Sequence, residues 1–204
     1  MKLNLAALLQ ICFPYSQDEQ CITACTKDSF NSKLFVQHGP HGKALASFKD
    51  REVRAAVHLV KFHNNKHAAA LLGSLLSAYL KTLPREPVIL IPMPLSPARL
   101  RARGHNQVAT VASIACAGLP HVIVRTDLLA RVRHTPSQTS LSGQHRRTNL
   151  SGAFAVAEKR MHEIRNTHII LCDDVITTGS TMREAKHTLA AGAPASIECI
   201  GLAH

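Results

Sequence analysis

Two adjacent carboxylates at the end of an apolar run are the residues of this chain best placed to do chemistry. The segment reads Ile169-Ile170-Leu171-Cys172-Asp173-Asp174-Val175-Ile176-Thr177-Thr178-Gly179-Ser180-Thr181. Four apolar residues predict a buried strand, and a turn of small hydroxyl residues then leads into a helix. Backbone N–H groups at such a turn, with the hydroxyls of Thr177, Thr178, Ser180 and Thr181, form a cradle for a phosphate. The acids beside it repel phosphate and suit sugar hydroxyls or a hard cation. Together they describe a sugar phosphate that also carries Mg²⁺. An ordinary helix cap accounts for one threonine. It leaves two acids and the rest of Thr177 to Thr181 without a purpose.

The elements that must position this segment alternate. Val53, Val57 and Val60, then Leu71, Leu72, Leu75, Leu76 and Tyr79, recur at helical spacing and predict two helices separated by Asn64-Asn65. Val88 to Ile91 predicts a strand stopped by Pro92, Asn106 to Ala117 a helix, and His121 to Thr126 a second strand. His168 to Asp173 predicts a third strand, Gly179 to Ala191 a helix, and Ala195 to Leu202 the last strand. Strands and helices in alternation give an α/β fold with a mainly parallel, Rossmann-like sheet flanked by helices. Residues 1–50 read as an irregular N-terminal region with a turn signal at Gly39-Pro40-His41-Gly42, and residues 51–204 as the main domain. The stretch between Arg131 and Leu150 is long and polar, the signature of a functional or disordered loop.

Composition narrows the partners. The chain has 204 residues, 24 Lys+Arg against 13 Asp+Glu, and a formal net charge of +11. Such a balance selects polyanions: nucleic acid or polyphosphates. With no Trp and 4% aromatics, a broad base-stacking platform is not expected, so phosphate contacts should dominate any nucleic-acid binding. Arg99, Arg101 and Arg103 suit DNA phosphates, a phosphorylated substrate or water equally well. No apolar run reaches the roughly 20 residues of a membrane span. Leu3 to Phe13 imitates a signal peptide without a small-residue cleavage site after it. The six cysteines form no dense framework, and a cytoplasmic location is expected. Dinucleotide-binding Gly-x-Gly-x-x-Gly, P-loop and Gly-x-Ser-x-Gly motifs do not occur.

The 169–181 segment resembles the phosphoribosyl-pyrophosphate loop of type I phosphoribosyltransferases. Two further segments resemble the ComF/GntX family, associated with DNA uptake and utilisation. These are Pro92-Met93-Pro94-Leu95 with Arg99, Arg103-Gly104, Asn106 and Gln107, and Thr135, Gln138, Leu141, Arg146, Asn149, Ala153 and Phe154. Lys61-Phe62 fits the same family's Lys-aromatic position. The resemblance covers about residues 45–202.

It implies a type I phosphoribosyltransferase fold and a list of roles. Asp173 and Asp174 would contact the ribose hydroxyls of phosphoribosyl pyrophosphate, brought with Mg²⁺. Thr177, Thr178, Gly179, Ser180 and Thr181 would wrap the 5′-phosphate. Pro94 and Leu95, with Arg99 and Arg103, would face the pyrophosphate. Arg131, Arg133, Gln138, Arg146 and Arg147 would lie on a mobile loop closing over the site, its arginines facing the leaving group. Purine-salvage relatives carry an Asp where this chain has Thr177, and a hydroxyl cannot replace it as a base. The acceptor is therefore unassigned.

The family's zinc knuckles are reduced here to Cys12 and Cys21-x₃-Cys25, with His38 and His41 nearby, and no tetrahedral set at usual spacing can be written. His63 and His67 are separated by the expected break at Asn64-Asn65 and read as a solvated basic face. His105 stands where the family has Phe. The expected function is a ComF-like protein of natural transformation. It would bind phosphoribosyl pyrophosphate with Mg²⁺, and single-stranded DNA or DNA-processing proteins. A non-catalytic sugar-phosphate sensor that binds single-stranded DNA, and a transferase of nucleotide metabolism, are the competing readings.

Overall fold

The computed structural model describes residues 16–132 and 152–204. In chain order these form α1 (Gln17–Ile22), α2 (Lys27–Asn31), β1 (Gln37–Gly39), β2 (Gly42–Ala44), α3 (Arg51–His63), α4 (Lys66–Leu80) and β3 (Val88–Pro92). There follow α5 (Pro97–Arg103), α6 (Gln107–Cys116), β4 (Val122–Val124), β5 (Leu129–Arg131) and β6 (Phe154–Val156). A 3₁₀ helix (Glu158–Glu163), β7 (His168–Val175), α7 (Ser180–Ala190) and β8 (Ser196–Ala203) complete the chain.

Six strands make the main sheet in the order β1-β2-β8-β7-β3-β4. All neighbours are parallel except the β1–β2 hairpin at one edge. β5 and β6 pair antiparallel as a separate ribbon. The expected α/β fold is thus the fold observed.

The central strands are apolar on both faces because helices cover both. Leu90, Ile170 and Cys172 pack with α3, α4 and α6 in one core layer. Ile91, Ile169 and Leu171 pack with Met182, Ala185 and Leu189 of α7 in the other. Successive side chains of β3 and β7 thus alternate between the layers.

Helix ends follow local chemistry. Asp50 caps α3 by accepting from the Glu52 and Val53 amides, and Asn64 ends that helix in the left-handed conformation at φ 49°. Asn65 then caps α4, so the Asn pair separates two helices as expected.

Residues 1–50 depart from the expectation of irregular structure over their described part. Ser16 and Glu19 form a reciprocal capping box on α1, and Thr26 and Ser29 one on α2. Ile22 and Phe30 are fully buried in the main core. The Gly39-Pro40-His41-Gly42 signal turns a hairpin whose strand β2 pairs Lys43 with Ile200 and Ala44 with Gly201. A polar triad ties that hairpin to the domain. Tyr79 on α4 donates to Glu198 Oε1 at 2.5 Å, while Lys43 Nζ lies 3.0 Å from Glu198 Oε1 and 3.0 Å from the Tyr79 hydroxyl. Tyr79→Phe leaves a half-buried ion pair short of one partner. It should cost about 1–3 kcal/mol, read as a lower denaturant midpoint at unchanged m-value.

Candidate functional site

Asp173 and Asp174 end β7, and the alternation of the strand sends the two carboxylates to opposite sides of the sheet. Asp174 falls on the side of α3 and α6 and is 8% exposed. Both its oxygens are occupied. Oδ1 accepts from the Val175 amide at 2.8 Å. Oδ2 accepts from Gln107 Nε2 at 3.1 Å and pairs with Lys61 Nζ at 3.2 Å. Gln107 is itself 4% exposed, and its Oε1 has no hydrogen-bond partner among the described atoms. Asp173 is more accessible. Its Oδ1 accepts from the Asp174 amide at 2.8 Å. Burial, and then the charge of Asp174, push its carboxyl up to about 7, while Lys61 and Arg131 pull the other way.

The turn that follows is built for close approach. Thr177 and Thr178 are exposed and Gly179 and Ser180 are buried. The Thr178 and Ser180 hydroxyls lie 3.0 Å apart. Gly179 adopts φ +65° and begins α7 with no capping side chain. The other described α-helices are each capped by a side chain: Ser16, Thr26, Asp50, Asn65, Ser96 or Asn106. Gly179 therefore offers α7 no side-chain acceptor of the kind the other N-caps supply, and an external anion suits that position. Against Gly179 lies His41 of the hairpin turn, so close that a Cβ on Gly179 would stand 2.2 Å from the His41 Cβ. A cleft of about 400 Å³ opens beside this contact, lined by Gln37, His38, His41, Thr177, Thr178 and His204 among others. The His204 ring bonds the Ile176 carbonyl through Nδ1 at 2.6 Å, so Nδ1 carries the proton there.

Register brings the third segment alongside. Pro92 lies opposite Cys172, and the Met93 amide donates to the Cys172 carbonyl at 2.7 Å. Pro94 and Leu95 therefore leave the sheet next to the acid pair. Ser96 and Pro97 then start α5, which buries no side chain and ends at Gly104, φ +74°. Asn106 performs two tasks. Its Oδ1 caps α6, and its Nδ2 donates to the Met93 carbonyl at 3.0 Å. His105 sits between α5 and α3, with Nδ1 2.9 Å from the Arg103 carbonyl and Nε2 3.2 Å from the Val60 carbonyl, and its N–H donates to one of the two.

The arginines gather on the acids. Burial lowers the Arg103 pKa, with Asp174 opposing and Arg99 adding to the fall. Burial and then Arg99 lower that of Arg131, with Asp173 opposing. Arg103 thus lies in the field of Asp174 and Arg131 in that of Asp173, with Arg99 near enough to repel both arginines. Arg131 belongs to β5 rather than to a loop, and its guanidinium lies 5.5 Å from the Phe154 ring centroid. Arg133, Gln138, Arg146 and Arg147 fall outside the described residues.

The described cysteines and histidines form no metal cluster. No group of three metal-ligating side chains occurs among the described residues. Cys25 is buried, and burial and then Glu52 push its thiol up to about 11. His38 and His41 line the cleft at the turn. No helix among the described residues is long and apolar enough to cross a membrane.

A parallel sheet with a carboxylate pair and an uncapped helix at the carboxyl end of one strand defines a phosphoribosyltransferase-like domain. The family model described as "Phosphoribosyl transferase domain" matches residues 59–204. This chain belongs to the ComF family of proteins carrying that domain. Competence protein F of Haemophilus influenzae is 37% identical over 57% of this chain and 50% of its own length. DNA utilization protein YhgH of Salmonella typhimurium is 29% identical over 88% of this chain and 80% of its own length. Among solved structures, the hypoxanthine-guanine phosphoribosyl transferase of L. donovani is 14% identical with a TM-score of 0.38, covering 72% of this chain and 71% of that one.

Two outcomes follow from this geometry. Asp173 carries a raised pKa, so its ionisation costs stability as pH climbs from the ordinary carboxylate range towards about 7. Asp173→Asn keeps the acceptor for the Asp174 amide and removes that cost. Its melting temperature relative to the parent protein should therefore be higher at pH 8 than at pH 5. Gly179→Ala should lose at least about 1–2 kcal/mol from positive φ alone, and more because His41 must move.

Proposed function

We propose that this protein binds phosphoribosyl pyrophosphate with Mg²⁺ at the 173–181 segment and acts on or beside single-stranded DNA during uptake or processing. The observation that carries the first half is the uncapped start of α7 at Gly179 beside a carboxylate held near neutrality. In this reading the 5′-phosphate takes the amides and hydroxyls of Thr177 to Thr181. Asp173, with an oxygen to spare, meets the ribose diol, while Lys61 and Gln107 hold Asp174 as the fixed base of the turn. Arg99, Arg103 and Arg131 receive the pyrophosphate, with Pro94 and Leu95 shaping the backbone on that side.

The residues present suit magnesium of the kind this substrate carries. A hard carboxylate whose charge is costly where it stands gains from a cation. A site with one or two protein carboxylates is what Mg²⁺ bound chiefly through phosphates requires. Asp173 would be the protein's contribution, and the ion would neutralise charge on the departing pyrophosphate. The protein's own share of any transfer is electrostatic: arginines stabilise the leaving group. An acceptor would enter the cleft between His38, His41, His204 and Thr177.

The nucleic-acid half rests on the net charge of +11 and on relatives named for competence and DNA utilization. Free thiols at the five described cysteines suit the cytoplasm. Residues 51–204 form the phosphoribosyltransferase unit, to which the 37–44 hairpin adds its edge. A second reading, a sensor that binds the sugar phosphate without turnover, is favoured by Thr177, which offers no base at the acceptor cleft. Release of pyrophosphate with any base or nucleic-acid acceptor would remove it.

Calorimetry with phosphoribosyl pyrophosphate and MgCl₂ tests the proposal. Binding heat with the parent protein and affinity at least about tenfold weaker in Asp173→Asn are expected, the cost of one charge-assisted contact. No heat, or an unchanged Asp173→Asn, overturns it.

A further inference from the structure

We infer that the outer face of α3 and the end of α5 form a contact surface for single-stranded nucleic acid, with one base stacked on Phe62. Positions 54, 58, 61 and 62 lie on one side of α3 at helical spacing, opposite the buried Val53, Ala56 and Val60. Arg54, His58 and Lys61 suit a solvated face; Phe62 does not, and it is 59% exposed. Its ring is held in place rather than left loose. The Arg103 guanidinium sits 5.4 Å from the ring centroid, and the His58 ring lies 4.8 Å away at 50°. His63 continues the group 5.8 Å from His58.

Beside the ring is a cleft of about 350 Å³, lined by Asp18, Phe48, Arg54, His58, Lys61 and Phe62 among others. Asp18 is engaged by His58 Nδ1 at 2.6 Å, which leaves the cationic lining dominant.

An aromatic ring flanked by cations offers two kinds of contact at once. The ring stacks on a base, and Arg54 on the same helix face meets a neighbouring phosphate. Only an unpaired strand presents a free base face, so the surface selects single strands over duplex. It also adjoins the sugar-phosphate site: Lys61 pairs with Asp174, and Arg103 lies in the field of the same carboxylate. A strand lying across Phe62 would run up to that site. The inference deepens the nucleic-acid half of the proposed function and is independent of whether phosphoribosyl pyrophosphate binds.

Fluorescence anisotropy with a labelled oligothymidylate of about 16 nucleotides tests it, at two salt concentrations and beside a duplex of equal length. The parent protein should bind the single strand more tightly than the duplex. Phe62→Ala should weaken single-strand binding about fivefold or more. Arg54→Ala should weaken it and lower the salt slope by about one phosphate contact. Phe35→Ala, at a second exposed phenylalanine (71%), should change nothing. Calorimetry of Arg54→Ala with phosphoribosyl pyrophosphate should match the parent protein, which separates this inference from the sugar-phosphate reading. Parent-like binding by Phe62→Ala, equal loss in Phe35→Ala, preference for duplex, or no strand binding by the parent protein overturns the inference. The first of these leaves DNA as a partner, and the last removes it.

Discussion

One buried carboxylate organises the middle of this protein. Asp174 sits where water cannot solvate it, so its charge is tolerable only with partners brought from elsewhere in the chain. Lys61 arrives from the last turn of α3, Gln107 from the first turn of α6, and the Val175 amide from the strand itself. Three segments far apart in sequence are thereby fixed to one atom pair. The arrangement also explains why the neighbouring acid differs in kind. Asp173 faces the opposite layer, keeps an oxygen available, and carries the penalty of ionising next to a charge that cannot move away.

The parallel sheet makes that arrangement inevitable once the strand is placed. β7 is flanked by β3 and β8, so its carboxyl end opens between the loop after Pro92 and the turn before α7. Asn106 then closes the geometry by holding the Met93 carbonyl while capping α6. A single residue thus joins the exit of one strand to the entry of the helix that supplies Gln107. Polar side chains in this region serve first as joints between elements.

Much of this was legible in the amino-acid order, and the parts that were not have identifiable reasons. β3, β7 and β8 announce themselves as short apolar runs, because a strand covered on both faces needs no polar alternation. The Asn64-Asn65 break was legible for the opposite reason, since few residues adopt positive φ so readily. Ser96-Pro97 and Gly104 bracket α5 with ordinary start and stop residues, and Ser16-x-x-Glu19 is a capping-box pattern. Those signals mark elements too short for periodicity to register. The unequal roles of Asp173 and Asp174 follow from two-residue alternation along β7. Which side held Lys61 and Gln107, however, depends on pairing across 67 positions in the case of Gln107. The packing of His41 on Gly179 is likewise a matter of tertiary approach, invisible to any local pattern.

That last contact bears on where this protein can be divided. β2 lies along β8 and the hairpin tip rests on the glycine that opens α7. A cut at residue 50 would follow the change in composition, yet it would bare a long, apolar strand edge and lift the roof from the hydroxyl bend. Such an edge invites pairing with other chains. Residues 16–50 are, in mechanical terms, a hem sewn into the fabric they border.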